Sequence, residues 1–352
     1  MADPRLRAER FRVADSLEAA NDSFYEREWT DGLPIIPPTP ERVEAMLRSL
    51  DRDPLAVVAR IPPYWADATV EKIAINAVMA GCRPEYLPVV VAAIEALGDP
   101  SFNLYGIQAT THPAGALIIV NGPIAGHLGI NAGPNAFGQG NRANATIGRA
   151  VRLVLINVGG GRPGSTDKST LGQPGKYSYC VAENEPESAW EPLHVERGYR
   201  GEESTVTVVG AAGPQNIADL FSKNASGLLT MLGHSSRAPG GNNFLLGGEP
   251  LYAICPEHAA ILARDGLGKA EVKRRLWELA QVPLRDFSPE NQEIVRHERA
   301  ALYAGAGADT PIHVADKPED LMLIVVGGPG SHSAPITTFG HTRAVTRPVR
   351  SR

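Results

Sequence analysis

The chain has 352 residues, of which 43% are hydrophobic and 21% charged, and it carries a formal net charge of -5. That length and balance suit two domains or one large α/β domain with insertions, and they exclude a disordered chain or a fibre. A mildly acidic chain without any Lys/Arg run also lacks the basic footprint of a nucleic-acid-binding protein, so no nucleic-acid partner is expected.

In chain order, residues 1–30 read as a polar helix. The stretch Met1–Glu28 has no apolar core of about 7–15 residues as in a signal peptide, and no window reaches about 18 apolar residues. The expectation is a cytoplasmic protein with no membrane partner. Asp31-Gly32-Leu33-Pro34-Ile35-Ile36-Pro37-Pro38 must be an extended strap, because each proline fixes φ and keeps its predecessor out of the helical region. Thr39-Pro40-Glu41 then opens a helix to about Leu50. Apolar periodicity predicts helices over Asp67–Ala80, stopped by Gly81, and over Pro84–Leu97, with Cys82 in the corner between them.

Short apolar runs that end in glycine predict strands at Ala116–Val120, Thr205–Val209 and Leu321–Val326. Leu251–Cys255 is a fourth strand, followed by a helix from Pro256 to about Arg264. Ala143–Val158 fits a helix better than a strand because it exceeds most strand lengths. Further helices are expected over Gln215–Ser222, Ala225–Leu232, Lys269–Gln281 and Ser288–Tyr303. The alternation argues for an α/β fold with a mixed or mainly parallel sheet, Gly-rich loops at strand ends and two related halves. These are an N-terminal helical and Gly/Asn-rich α/β portion, 1–200, and a C-terminal α/β portion, 201–352, with a soft boundary near Glu196–Ser204.

Residues 101–182 hold one acidic residue, Asp167, against Arg142, Arg149, Arg152, Arg162, Lys168 and Lys176, a local charge of +5. From Gly106 to Gly175 there are 15 glycines and six asparagines, which offer backbone N–H and amide groups near those cations. The combination predicts a pocket for a carboxylate or phosphate, with Asn141, Arg142, Asn144 and Lys176 as substrate-binding candidates. The structural alternative is that these arginines pair with acidic residues in an oligomer interface. A second Gly/Asn loop, Ser235–Asn243, adds Arg237 and Asn243 to the same role.

Gly138-Gln139-Gly140-Asn141-Arg142-Ala143 fails the dinucleotide spacing and has no preceding strand, so a nicotinamide cofactor is not expected. ATP is not expected either, since Gly172-Gln173-Pro174-Gly175-Lys176-Tyr177-Ser178 only loosely resembles a phosphate loop. Five histidines, His112, His127, His234, His332 and His341, sit in loop-like settings. His112 and His127 are candidate acid–base groups, and His234, His332 and His341 are candidate ligands should a divalent metal be the cofactor. Three cysteines, Cys82, Cys180 and Cys255, are too few and too scattered for a disulfide framework or a CxxC metal site. Cys82 precedes Arg83 and the helix opened by Pro84, a setting that favours a thiolate, and it is the catalytic candidate among them. Cys255, closing an apolar strand, reads as a packing residue.

The strings Asp31-Gly-Leu-Pro-Ile-Ile-Pro-Pro-Thr39, Asn76-Ala-Val-Met-Ala-Gly-Cys82-Arg-Pro-Glu85 and Asn144-Ala-Thr-Ile-Gly-Arg149-Ala resemble a poorly characterised bacterial family associated with UGSC-motif (seleno)protein-like domains. The resemblance spans most of the chain and implies a metabolic partner with a reactive thiol or selenol. Since no cysteine counterpart of that motif is present here, the reactive domain is expected on a separate protein. No activity or residue role carries over.

The expected function is an enzyme acting on a small anionic molecule by acid–base or thiol-assisted bond cleavage, of the lyase or hydrolase type. The alternatives are the substrate-binding subunit of a thiol- or selenol-dependent redox system and a non-catalytic oligomeric binding protein. A homo-oligomer is expected under all of these readings.

Overall fold

The computed structural model describes residues 6–350. Helices α1 (Leu17–Glu26) and α2 (Pro40–Leu47) precede a small hairpin of β1 (Val57–Ile61) and β2 (Ala66–Thr69). There follow α3 (Val70–Ala80), α4 (Leu87–Leu97), α5 (Leu104–Ala109), β3 (Gly115–Asn121), α6 (Pro123–His127) and α7 (Arg142–Asn157). Next come β4 (Cys180–Ala182), α8 (Leu193–Glu196), β5 (Thr205–Ala211), β6 (Ile217–Ala218), α9 (Ala225–Ser235) and α10 (Asn242–Leu246). The chain continues with β7 (Leu251–Ile254), α11 (Pro256–Arg264), α12 (Lys269–Leu279), β8 (Gln281–Pro283), α13 (Pro289–Glu298) and α14 (Ala300–Tyr303). It closes with β9 (Pro311–His313), β10 (Met322–Val325), β11 (His332–Ile336) and β12 (Val345–Pro348).

Two four-stranded sheets carry the fold, in the orders β12-β5-β3-β4 and β10-β7-β11-β6. Each is mixed: β3 and β4 run parallel, as do β10 and β7, while the remaining pairs are antiparallel. Strand alternation then dictates the layers. Leu117, Ile119, Val209 and Val181 point to one side, where they meet Leu251, Ala253, Ile324 and Ile336 of the second sheet. Ile118, Val120, Val206 and Val208 point to the other, into a core with α2, α3, α4 and α7. On the second sheet Tyr252, Ile254, Leu323 and Val325 face outward onto α9, α11 and α12. The result is four layers, helices–sheet–sheet–helices, with three apolar seams.

Local signals set most boundaries. The Thr69 side chain accepts from Lys72 N–H to start α3, and Gly81, at φ 88°, ends it in the left-handed region that glycine enters without strain. Asn141 caps α7 by accepting from Asn144 N–H, and the ambiguous apolar run after it is helical. The proline-rich strap is pinned by Arg149, whose guanidinium donates two 2.8 Å bonds to the Asp31 carboxylate and further bonds to the carbonyls of Leu33 and Pro34. Thus the three strings that carry the family resemblance meet, for Cys82 Sγ donates to the Thr146 carbonyl and Ile36 N–H to that of Met79.

Two expectations are corrected. The polar helix expected over residues 1–30 is confined to Leu17–Glu26; Ser16 starts it by accepting from Ala19 N–H, and residues 1–5 lie outside the described range. The helix expected over Gln215–Ser222 is absent, because Ile217 and Ala218 pair with Ser333 and His332 as β6. Among the described residues no single helix is long and apolar enough to cross a membrane. The bent pair Pro84–Leu97 and Pro100–Ala109 is apolar enough together, and its first member packs against β5, α3 and α7.

A buried carboxyl lies at the far end of the first sheet. Glu183 accepts from Asn121 Nδ2 at 2.7 Å and from Leu193 N–H at 2.8 Å. Burial pushes its pKa above the usual carboxyl range against the opposing pull of Lys269 and these hydrogen bonds. An acid raised in the folded state stabilises the fold least where it must ionise, so stability falls as pH rises through its folded pKa. Glu183→Gln is therefore expected to gain stability relative to the parent between pH 5 and pH 8, read from urea midpoints at the two ends. A gap that closes or reverses with rising pH contradicts this.

Candidate active site

β7 ends in Cys255-Pro256-Glu257-His258. Proline at the first helical position starts α11 immediately, so Cys255 becomes its N-cap and His258 lies within its first turn. A sulfur there feels the positive end of the helix. The other two members come from distant sequence. Ser333 is carried in by β11, which is antiparallel to β7, and Asp219 follows β6, paired to the other side of β11.

The contacts are close. Ser333 Oγ is 2.7 Å from His258 Nδ1 and 3.6 Å from Cys255 Sγ, and it accepts the Cys255 backbone N–H at 3.1 Å. His258 Nε2 is 3.1 Å from the Asp219 carbonyl oxygen. A carbonyl only accepts, so Nε2 carries the hydrogen and Nδ1 is the basic nitrogen of the neutral ring, aimed at Ser333 and the sulfur. The Asp219 carboxylate uses Oδ1 to accept from Phe221 and Ser222 N–H, while its buried Oδ2 has no partner. All four residues are nearly buried: Cys255 is 2% exposed, His258 0%, Ser333 4% and Asp219 8%.

The electrostatics favour charge separation. Burial raises the Cys255 thiol pKa, but the His258 ring, its backbone N–H, its charge and Ser333 outweigh that, and the thiol ends below its ordinary value. Burial likewise disfavours a charged His258; Cys255 and Asp219 overcome it and raise the imidazole. Asp219 is lowered, since the hydrogen bonds from Ser222 and Phe221 and the charge of His258 exceed the effect of its burial. These opposite displacements lower the cost of moving the thiol proton to the imidazole.

Cys255, read from sequence as a packing residue, thus belongs to a polar cluster. The signal was present as a cysteine at a helix N-cap with histidine three positions on. Ser333 and Asp219 carried no such mark.

The other expected site residues fall elsewhere. Cys82 is buried, and burial pushes its thiol up to about 12 despite the Thr146 hydrogen bond and the charges of Arg142 and Arg149, so the expected thiolate is disfavoured. Arg83, expected to support it, lies 3.9 Å from Glu85. Cys180 is raised by burial as well. His112 precedes β3 and the exposed His127 closes α6 after it, so a strand of seven residues separates them. His112 stacks on Phe339, and burial, with the charge of Lys176, lowers its pKa.

The expected anion-binding groups are occupied within the chain. Arg142 donates to the Gly81 carbonyl and Arg237 to that of Leu279, while Lys176 pairs with Asp167 at 2.6 Å. Asn141 caps α7. Buried Asn144 donates to the carbonyls of Asn131 and Cys180, and Asn243 bonds Gly247 and Thr338. His332 faces Asn216, His341 faces Glu298, and His234 lies exposed in the last turn of α9. Among the described residues no three His, Cys, Asp or Glu side chains form a group that could hold a metal ion.

No protein-family model matches this chain, and no curated protein matches it either.

Proposed function

We propose that the chain is a thiol-dependent enzyme of the hydrolase type, with Cys255 as nucleophile and His258 as its base. The observation that carries this reading is the Ser333 hydroxyl, within reach of both the sulfur and His258 Nδ1. The thiol proton passes to Ser333 Oγ as the serine proton passes to Nδ1, which leaves a thiolate hydrogen-bonded to Ser333 and an imidazolium. The Asp219 carbonyl holds the ring's orientation through Nε2, and its carboxylate favours the charged ring. The sulfur attacks the carbonyl carbon of a small carboxylic ester, thioester or amide. A C–S bond forms, the bond to the leaving group breaks, and His258 returns the proton to that group. Water, deprotonated by His258, then cleaves the thioester and releases the acid and the free thiol. The α11 N-terminus favours the negative charge that develops on the substrate oxygen and suits an anionic substrate.

p-Nitrophenyl acetate tests this. The expected result is a burst of p-nitrophenolate of about one equivalent per chain, with an acetyl group on the peptide that holds Cys255, and no burst from Cys255→Ala. Acetylation confined to other residues overturns the assignment.

A second reading has the same thiolate attacking the disulfide or selenenylsulfide form of a separate thiol or selenol protein, so that a mixed disulfide forms and the partner's other thiolate leaves. It is favoured by Leu220 and Phe221, 58% and 81% exposed directly after Asp219, which offer an apolar lip to a partner. In that case the thiol forms a mixed disulfide with a small aromatic disulfide but gives no acyl burst.

A further inference from the structure

The Ser333 hydroxyl that links the sulfur to the imidazole has a use that acyl transfer does not exhaust. It lies 3.6 Å from Cys255 Sγ and 2.7 Å from His258 Nδ1, so a proton held on the ring can be handed outward, through Oγ, to an atom seated against the sulfur. The Asp219 carbonyl at Nε2 steadies the ring from its other side. Cleavage of an O–O bond is chemistry that asks for such a delivery. A sulfur that attacks one oxygen of a peroxide leaves the other as a strongly basic hydroxide or alkoxide, one bond length further on, and a positioned acid speeds its departure. Access selects the same class of reagent. Cys255 is 2% exposed and Ser333 4%, and a small neutral molecule loses far less hydration on entering such a site than an ion does.

We propose that the cluster also reduces small neutral hydroperoxides, with Cys255 as the attacking sulfur and Ser333, recharged by His258, as the donor to the leaving oxygen. The inference rests on the thiol assignment made above. The thiolate forms an S–O bond and the O–O bond breaks. Ser333 gives its proton to the departing oxygen and receives the one on Nδ1. The products are a sulfenic acid on Cys255, a neutral imidazole, and water or an alcohol, so that sulfur is oxidised and the peroxide reduced. The way back lies outside the chain. Cys82 and Cys180 sit in the core beneath the helices, on the far side of the first sheet, whereas Cys255 follows β7 of the second sheet, so neither reaches the sulfenic acid. An external thiol therefore condenses with it to a mixed disulfide and water. A second molecule of that thiol then releases Cys255 as a thiol, and the external disulfide leaves.

The test treats parallel samples of the full chain, at one pH, with hydrogen peroxide plus dimedone, which traps sulfenic acid, and with iodoacetamide, and reads each cysteine by site-resolved mass spectrometry. Both reagents meet the same sulfur, so the ratio of their rate constants does not depend on how much thiolate is present; only the peroxide needs a proton at its leaving atom. The expected result is a dimedone adduct at Cys255 and an oxidation-to-alkylation ratio about a hundredfold above that of free cysteine. Ser333→Ala and His258→Ala are each expected to lower that ratio about tenfold or more, and either suffices if the other does not fold. With glutathione in place of dimedone, one glutathione disulfide is expected per peroxide consumed. A parent ratio equal to that of free cysteine, a ratio unchanged in either folded variant, or dimedone adducts confined to Cys82 or Cys180 overturns the inference. The acyl reading survives those results, since a p-nitrophenolate burst asks for no such proton. Slow alkylation of Cys255 overturns both.

Discussion

Iodoacetamide is expected to label Cys255 in the native chain at least about a thousandfold faster than Cys82 or Cys180. Only the thiolate attacks. With its pKa pushed up to about 12, Cys82 is almost wholly protonated at pH 7. Cys180 is raised by burial too, whereas Cys255 is lowered by its histidine, its helix and Ser333. A depressed pKa keeps the reactive form present above the folded value and loses it as pH falls through that value. The labelling rate should therefore persist below the pH at which an ordinary thiol loses its thiolate, and decline as pH falls through the depressed value. His258→Ala removes the imidazolium, moves the inflection upward and slows labelling at pH 6.5 by about tenfold or more. Ser333→Ala slows it less, because the charge of His258 remains. The measurement is site-resolved mass spectrometry of alkylation between pH 5 and pH 9. Comparable labelling of Cys82, or a rate for Cys255 that inflects where a free thiol does, sinks the thiolate assignment.

Arg149→Ala is expected to cost about 3–5 kcal/mol of folding stability. The Asp31 side chain is only 3% exposed and receives both Nε–H and an Nη2–H of Arg149 at 2.8 Å. Without the guanidinium that carboxylate is left buried and uncompensated, and the carbonyls of Leu33 and Pro34 lose their donor. Arg149→Lys restores the charge but not the planar fork, so it should recover part of the loss. Asp31→Asn in the Arg149→Ala background should restore stability relative to Arg149→Ala alone, because the unpaired charge has gone. Urea unfolding of the four proteins provides the comparison; a loss under about 1 kcal/mol for Arg149→Ala would show the strap to be held by its prolines and apolar contacts instead.

Elements with local causes were legible. Thr39-Pro40 opens α2, Gly81 closes α3, and the length of the run after Asn141 identifies α7. The strands missed were those whose cause lies in another part of the chain. β6 is two residues long and exists because β11 lies beside it; β11 contains Pro335 and begins with His332-Ser333, which carries no strand signal. The same division applies to the site. Cys255 and His258 are three apart on one helix end, so their proximity follows from the sequence, even though Cys255 read as a core residue. Ser333 and Asp219 reach them only through the β7–β11–β6 pairing, which no local pattern encodes. The cationic Gly/Asn segment was conspicuous in composition, yet Arg149 and Lys176 find Asp31 and Asp167 within the chain, a pairing that charge counting cannot anticipate.

The position of β12 also sets an order in time. Val345–Pro348 pair with Thr205–Val208 of β5, and Val345 enters the core of the first sheet. During synthesis, β3, β4 and β5 leave the ribosome long before the strand that covers the β5 edge, with an interval on the order of ten seconds. Throughout it the Val206–Val208 edge stands open to neighbouring nascent chains. Slow translation between β5 and β12, or removal of the last strand, is therefore expected to reduce yield through edge-to-edge association before it affects any chemistry at Cys255.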